Sequence, residues 1–529
     1  MKRSASLLAL LLFAVSLAQA ASVPLESATI ADLNKAFKAG TLTSEQLVKM
    51  SIARIDAYDH RGPKLNAVIT LNPKALEIAK ALDAERKAKG PRSPLHGIPV
   101  VLKDNYDTFD LPTTGGSILL EGSIPPNDAY MVKKLRDAGA IILAKVNLSE
   151  FASGGAHSSM GGQSLNPHDL TRTPSGSSGG TGVAIAAVYA PLGFGTDTGG
   201  SIRGPSTSNG IVGLKPTHGL LSRDGIIPLS LSFDTGGPMT RSVYDIAVSL
   251  GIMTGVDPAD AATQKSKGKF ETDYTKFLKS DALKGARIGI ARDFLGADPE
   301  VDWIVESSLE TMKQAGAIIV DVRYPKWLLD GKGEFYNAVR YPEFAAQIAD
   351  YLATLGPKYP KNINELIARS NKVISPRGDG AGPNQSRWQL FKREASSGTL
   401  TDYRYLSVRD HVLPAIRTVV EGIVASEKLD AIVYPTSPRR PSQIAAPPET
   451  GTAAGTASAT NIANLTGFPD LIVPAGFSSD ELPVGLSFFG PAFSEPKLLA
   501  LGYSFEQLTH ARRLPVNTPA LSGETIEVP

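Results

Sequence analysis

The sequence predicts an α/β fold: a large mixed, mostly parallel twisted sheet covered by helices on both faces, with a helical insert. Three observations carry this. Short, almost wholly apolar runs such as GIPVVLKD (97–104) read as strands buried on both sides. Segments with apolar residues three and four apart alternate with them. One joint also occurs twice: AYMVKKLRDAGAIILAKVN (129–147) and SLETMKQAGAIIVDVRYP (308–325) each run helix, glycine stop, strand, with AGAII at 138–142 and 315–319. A helix that ends at a glycine and hands the chain to a parallel strand is the recurring unit of such a sheet.

Taken in order, residues 1–20 (MKRSASLLALLLFAVSLAQA) have a basic start at Lys2 and Arg3, an apolar stretch and a terminal Ala-Gln-Ala. That is the pattern of a secretory signal peptide cleaved after Ala20, implying a periplasmic or secreted protein with no stable membrane anchor. Residues 28–57 read as two helices, the first ending at Gly40, with Thr43 and Gln46 as a capping box for the second. A third helix spans 72–90 and stops at Gly90. Further strands are expected at 286–291, 429–434, 470–474 and 484–489. The stretch 325–425 is mostly helical and polar, and reads as an insert that shapes a substrate entrance. The remainder, 21–529, reads as one domain.

Composition narrows the function. The chain has 529 residues, 42% hydrophobic and 20% charged, as an ordinary globular protein does. Without the signal segment it carries 52 basic and 52 acidic residues, so nothing points to nucleic acid. It has no cysteine, which removes disulfides, thiolate nucleophiles and Cys-based metal sites, and suits an oxidising compartment. No pair of its seven histidines has a ligand spacing such as H-E-x-x-H, so no metal is expected, and acyl transfer through a serine would need no cofactor.

Chemistry concentrates in three places. GTDTGGSIRGPS (195–206) sets Ser201 in unusually bare backbone at the end of an apolar run, Ala190 to Phe194. SGSSGGTG (175–182) resembles a flexible linker but feeds directly into the apolar VAIAAVYA. Lys103 closes a buried strand, where lysine is unusual, although a strand-end lysine can also turn to solvent. A serine needs a base to take its proton. No histidine neighbours Ser201 in the chain, and there is no G-x-S-x-G elbow, so a Ser–His–Asp arrangement would need a histidine brought in from afar. The other available base is a lysine kept neutral by burial, and Lys103 is the candidate. The hydroxyls of 175–178 could link it to Ser201.

GSSGGTG followed by GTDTGGSIRGPSTSNGIVGLKPTHGL strongly resembles the amidase signature family, closest to its exported bacterial peptide-amidase-like members. PLHGIPVVLKDN, DTGGPMTRSVYD and LPVGLSFFGPAFSEPKLLALGYSFEQ match it too, so the resemblance covers essentially all of 21–529. It implies the amidase signature fold and a Ser–Ser–Lys triad. Ser201 is then the nucleophile, Ser177 the bridging serine after a cis Gly176–Ser177 peptide, and Lys103 the base, while Ser178 is left out.

The bare backbone then has a reason. The N–H groups of Thr198, Gly199, Gly200 and Ser201 can converge on the oxygen of an amide under attack, and glycines let that backbone approach closely. Asp197 and Arg203 are expected to brace the loop. The leaving-group pocket is expected near SGGAHSS (153–159), with Ser153, Gly154 and Ser177 touching substrate. This segment is shorter and richer in Gly and Ser than the peptide-amidase pattern. The expected substrate is a small-molecule or short-peptide amide, cleaved through an acyl-enzyme that releases ammonia or an amine. The expected state is a monomer or homodimer. Two other readings stay open: an amidotransferase subunit of the same family, and a non-catalytic exported binding protein.

Overall fold

The computed structural model describes residues 21–377, 381–444 and 459–528. The expected signal segment, 1–20, lies outside the described residues. In chain order the strands are β1 (Ala21–Pro24), β2 (Val68–Leu71), β3 (Pro99–Lys103), β4 (Ile141–Val146), β5 (His157–Ser158) and β6 (Gly162–Gln163). They continue with β7 (Leu192–Asp197), β8 (Val212–Lys215), β9 (Thr235–Thr240), β10 (Arg287–Ala291), β11 (Ile318–Val322) and β12 (Ala431–Pro435). The last are β13 (Asp470–Phe477), β14 (Pro483–Phe489) and β15 (Thr525–Val528).

Eleven of them form one sheet, ordered β11-β10-β12-β14-β13-β8-β9-β7-β3-β4-β2. It is the large mixed sheet expected, but parallel pairing is not in the majority. The parallel ladders are β11/β10, β10/β12, β7/β3 and β3/β4, near the two ends of the sheet. From β12 through β14, β13, β8 and β9 to β7 every ladder is antiparallel, as is β2 on β4. The strands that make the centre antiparallel include β8 and β9, whose sequences VGLK and TGGPMT carry little of the apolar signal that marks the flanks.

The repeated joint is structurally the same both times. Gly139 (φ 86°) and Gly316 (φ 93°) follow helices Tyr130–Asp137 and Pro299–Gln314 and lead into β4 and β11. Each carbonyl then accepts from the glycine before the neighbouring parallel strand, Gly97 N at 2.8 Å and Gly285 N at 2.9 Å. Side-chain alternation in β3 shows both faces covered. Val100 and Leu102 enter one core with helices Tyr130–Asp137 and Val243–Met253, and Val101 enters another with Ser44–Arg54 and Gly179–Ala186. The predicted Thr43/Gln46 capping box is present.

The insert is a series of helices, the longest being Lys326–Ala353. Its aromatic residues Phe344 and Phe391 stack on each other and receive the ring of Phe151 edge-on, at 6.3 and 5.6 Å. Burying rings of this size contributes roughly 1.5–3 kcal/mol each. The contact ties the insert to the segment after β4. Lys103 ends β3 and Asp197 ends its parallel neighbour β7, so the chemistry-bearing residues gather at the C-terminal ends of adjacent parallel strands, where α/β sheets place their sites.

Candidate active site

Lys103 is fully buried. Its Nζ lies 2.6 Å from Ser177 Oγ, 2.7 Å from Thr196 Oγ1 and 3.4 Å from the Thr196 carbonyl. Burial pushes its pKa down to about 7, against the pull of Asp197 and Asp234 in the other direction. Asp104, the adjacent carboxylate, turns away from the Lys103 amine. It pairs with Lys145 Nζ at 3.0 Å and accepts from the Thr114 amide and hydroxyl. Thr196, which the sequence reading did not single out, fixes the lysine's orientation. Its Oγ1 accepts from both Lys103 and Asn105 Nδ2 (3.1 Å), so it uses its two lone pairs. Once Lys103 loses a proton, its lone pair is left facing the Ser177 hydroxyl.

The Gly176–Ser177 peptide is cis. Ser177 O accepts from Ser149 N (2.9 Å), and Ser178 N donates to Ser201 O (3.1 Å), which holds the two serine segments together. The Ser178 hydroxyl is engaged by β7: it donates to Thr196 O at 3.1 Å and accepts from Thr196 N at 3.2 Å. Only one of the paired serines therefore faces Lys103. Among the described residues no histidine is hydrogen-bonded to Ser177 or Ser201; His96, His168 and His218 instead contact the carbonyls of Leu82, Asn209 and Leu231.

After β7 the chain becomes accessible. Asp197 is buried, while Gly199, Gly200 and Ser201 are half-buried. The loop is tight: a Cβ on Gly199 would stand 2.9 Å from Tyr336 Oη, and one on Gly200 would stand 2.6 Å from Thr460 Oγ1. The expectation that four N–H groups converge needs correction at one of them, Gly200. The Gly200 N–H donates to Asp197 Oδ1 at 2.9 Å, and the Thr198 hydroxyl is taken by Asp234 at 2.5 Å. Among the described residues the N–H groups of Thr198, Gly199 and Ser201 have no partner.

Asp197 and Arg203 form a buried two-point ion pair, Nε to Oδ2 at 3.1 Å and Nη2 to Oδ1 at 3.0 Å. Arg203 also reaches Asp470 (3.0 Å), the Thr460 carbonyl (2.7 Å) and Asn464 Oδ1 (2.5 Å), and Asn464 Nδ2 returns to Asp197 Oδ1 (2.9 Å). Burial alone would raise the Asp197 carboxyl, but Arg203, Asn464 and the Ile202 amide outweigh it and hold it well below the usual range. Asp470, Asn464 and Thr460 come from far downstream in the chain, which is why local sequence gave no sign of them.

Ser153 and Gly154 lie beside this site: a Cβ on Gly176 would stand 3.7 Å from the Gly154 carbonyl oxygen. Phe151 and Ala152 before them have φ of 49° and 57°. Ser153 Oγ accepts from Arg340 Nη2 at 2.6 Å, and Arg340 pairs with Glu394 at 2.7 Å, so the insert does border the site. Tyr336, stacked on Phe233 at 5.3 Å, covers Gly199 from the same helix.

The sequence profile of the Amidase family matches residues 46–499. The chain belongs to the Amidase family. It is 36% identical to the A-subunit of glutamyl-tRNA(Gln) amidotransferase from Alkalilimnicola ehrlichii, over 92% of this chain and 98% of the relative. The structure of native peptide amidase from Stenotrophomonas maltophilia superposes with a TM-score of 0.82 at 37% identity, over 93% of this chain and 99% of that one. The glutamyl-tRNA(Gln) amidotransferase A-subunit from Thermotoga maritima superposes at 0.70 with 26% identity, over 93% and 98%. The mixed α/β architecture is thus that of the peptide amidase, and the chain is an amidase-family enzyme acting on amide C–N bonds by hydrolysis or amide transfer.

Proposed function

We propose that this protein cleaves a carboxamide C–N bond through an acyl-enzyme on Ser201, with Ser177 as proton bridge and Lys103 as base. The observation that carries this is the buried Lys103 amine, 2.6 Å from Ser177 Oγ, behind an accessible glycine loop that bears Ser201. Neutral Lys103 takes the Ser177 proton as Ser177 takes that of Ser201. Ser201 Oγ bonds to the amide carbon, and the carbonyl oxygen becomes an oxyanion. The free N–H groups of Thr198, Gly199 and Ser201 are the donors offered to it, each such donor being worth about 3 kcal/mol of barrier. The C–N bond then breaks, and the proton returns through Ser177 to the departing ammonia or amine. Water cleaves the ester by the same relay in reverse. Lys145 and Lys215 are buried as fully, so it is the Ser177 partner and the accessible serine loop beyond it, not burial alone, that favours an enzyme over a binding protein.

The closer likeness to peptide amidase among the solved structures supports a free-standing hydrolase of small-molecule or short-peptide amides, with Ser153 and Gly154 beside the leaving group. The curated relatives favour a second reading, in which the chain liberates ammonia as one component of an amidotransferase. A release assay on the purified chain separates the two. Peptide carboxamides, aryl acylamides and aliphatic amides are offered beside glutamine, and ammonia and amine are scored. Turnover of the amide panel by the chain alone supports the hydrolase; activity confined to glutamine and dependent on added partner proteins overturns it. The basic-apolar-small pattern of 1–20 further supports export, with a mature chain beginning at Ala21. N-terminal sequencing from the native host checks this, and recovery of Met1 on the functional protein overturns it.

A further inference from the structure

A second cavity, about 620 Å³, lies apart from the site just described: none of Lys103, Ser177 and Ser201 lines it. Five basic side chains surround it: Arg223, Lys265, Lys269, Arg409 and Arg417. Two of them have carboxylate partners, Arg223 with Asp260 at 2.5 Å and Arg409 with Asp410 at 2.6 Å. The other three have none among the described residues. Arg417 Nε donates to the Thr466 carbonyl at 3.0 Å, and the Lys269 ammonium lies 4.7 Å from the Phe493 ring centre. The one carboxylate in the lining, Glu343, already accepts from the Ser230, Ser232 and Tyr405 hydroxyls. His218 adds no charge at neutral pH, since burial and the nearby Arg223 and Lys265 push its pKa down to about 3.

Like charges gathered around a cavity repel unless an anion sits between them. That repulsion registers here: after burial, Arg417 and Arg223 are the main causes that lower the Lys265 pKa. The walls between the cations are mixed, with an apolar part from Leu413, Pro414, Leu465 and Phe493 beside polar side chains such as Thr217, Gln347 and Tyr405. Three cations without an ion-pair partner, Lys265 feeling Asp260 only at a distance, match a doubly charged oxyanion better than a single carboxylate. The apolar part of the walls favours a ligand with an apolar group attached.

We propose that this cavity is a binding site for a dianionic oxyanion carried on an apolar group, the chemical class of a phosphate monoester. The ligand would rest against Asn464, which lines the cavity and also holds Asp197. The experiment is isothermal titration of the full chain at pH 8 with phenyl phosphate and with benzoate, at constant ionic strength. It is repeated on a Lys265→Gln, Lys269→Gln, Arg417→Gln triple variant whose amide turnover confirms its fold. These side chains are exposed and touch no proposed catalytic group, so the turnover rate is expected to stay unchanged. Saturable one-site binding of phenyl phosphate is expected, at least tenfold tighter than benzoate and at least tenfold weaker in the variant. Absence of saturable binding, equal affinity for benzoate, or undiminished affinity in the triple variant would each overturn the proposal.

Discussion

In the proposed mechanism, burial is what makes Lys103 a base. In water at pH 7 fewer than roughly one lysine in a thousand is neutral. Fully desolvated at the end of β3, with its carboxylate neighbour Asp104 turned to Lys145, the amine has a pKa lowered to about 7. In that mechanism the deprotonated form is the active one, so log(kcat/KM) on a good amide is expected to rise with pH on the acid side and level off above about 7. Lys103→Ala should remove both that limb and most of the rate. If it keeps both, another group is the base. Ser201→Ala should abolish turnover with an unchanged melting temperature, and Ser177→Ala should lose at least about a hundredfold, the usual worth of positioned proton transfer. Ser178→Ala is the contrast. Its hydroxyl serves the Thr196 backbone, so it is expected to lower stability by about 1–3 kcal/mol, through an unsatisfied buried amide, and to leave the shape of the pH–rate profile intact. A rate loss as deep as that of Ser177→Ala would contradict this assignment.

At the scale of elements, the loop after β7 is held from beneath. Asp197 organises the Gly200 and Ile202 amides while paired with Arg203, and no solvent reaches either side chain. Removing the Asp197 charge leaves Arg203 with Asp470 as its one buried carboxylate partner, and breaking a buried pair costs up to about 3–5 kcal/mol. Asp197→Asn is therefore expected to lower the urea midpoint strongly and to depress kcat along with it. An unchanged midpoint would show the pair to be dispensable. The repeated glycine joint gives a second test. Both glycines have positive φ, where an L-residue is disfavoured by roughly 1–2 kcal/mol. A Cβ at 139 would also meet His96 Nδ1 at 2.9 Å, whereas one at 316 finds its nearest neighbour at 3.5 Å. Gly139→Ala should therefore destabilise the protein more than Gly316→Ala, as measured by paired thermal melts; the reverse order would refute the steric account.

Across the whole molecule, buried ionisable groups give stability a pH dependence. His168 is buried, its Nε2 lies 3.2 Å from the Asn209 carbonyl, and burial lowers its pKa to about 4. The folded value is below the unfolded value near 6.5, so this contribution is fully present above pH 6.5 and is lost as pH falls toward 4. The expected slope is at most about 1.4 kcal/mol per pH unit in that window. His168→Gln, which can still donate to Asn209, should flatten the fall in melting temperature between pH 6.5 and 4.5, and an unaltered fall would assign it to other groups.

The sequence by itself determined the α/β class, the flanking parallel strands, the helix caps and the family, because each rests on short-range signals: apolar runs, glycine stops, a capping box and separated motif blocks. It also singled out Lys103, Ser177 and Ser201 as chemistry-bearing. The antiparallel centre was not legible, since strands such as VGLK and TGGPMT are short, glycine-rich and recognisable only by their partners. Nor were Thr196, Asn464 and Arg340, ordinary residues that acquire a role through what stands opposite them. Tertiary structure alone decided that the Gly200 amide turns inward to Asp197, that Ser178 serves the backbone and Ser177 the lysine, and that Lys103 is dry enough for its pKa to fall to about 7. The physical reason is common to all three. Hydrogen-bond direction and desolvation depend on groups distant in the chain, and only folding brings those groups together.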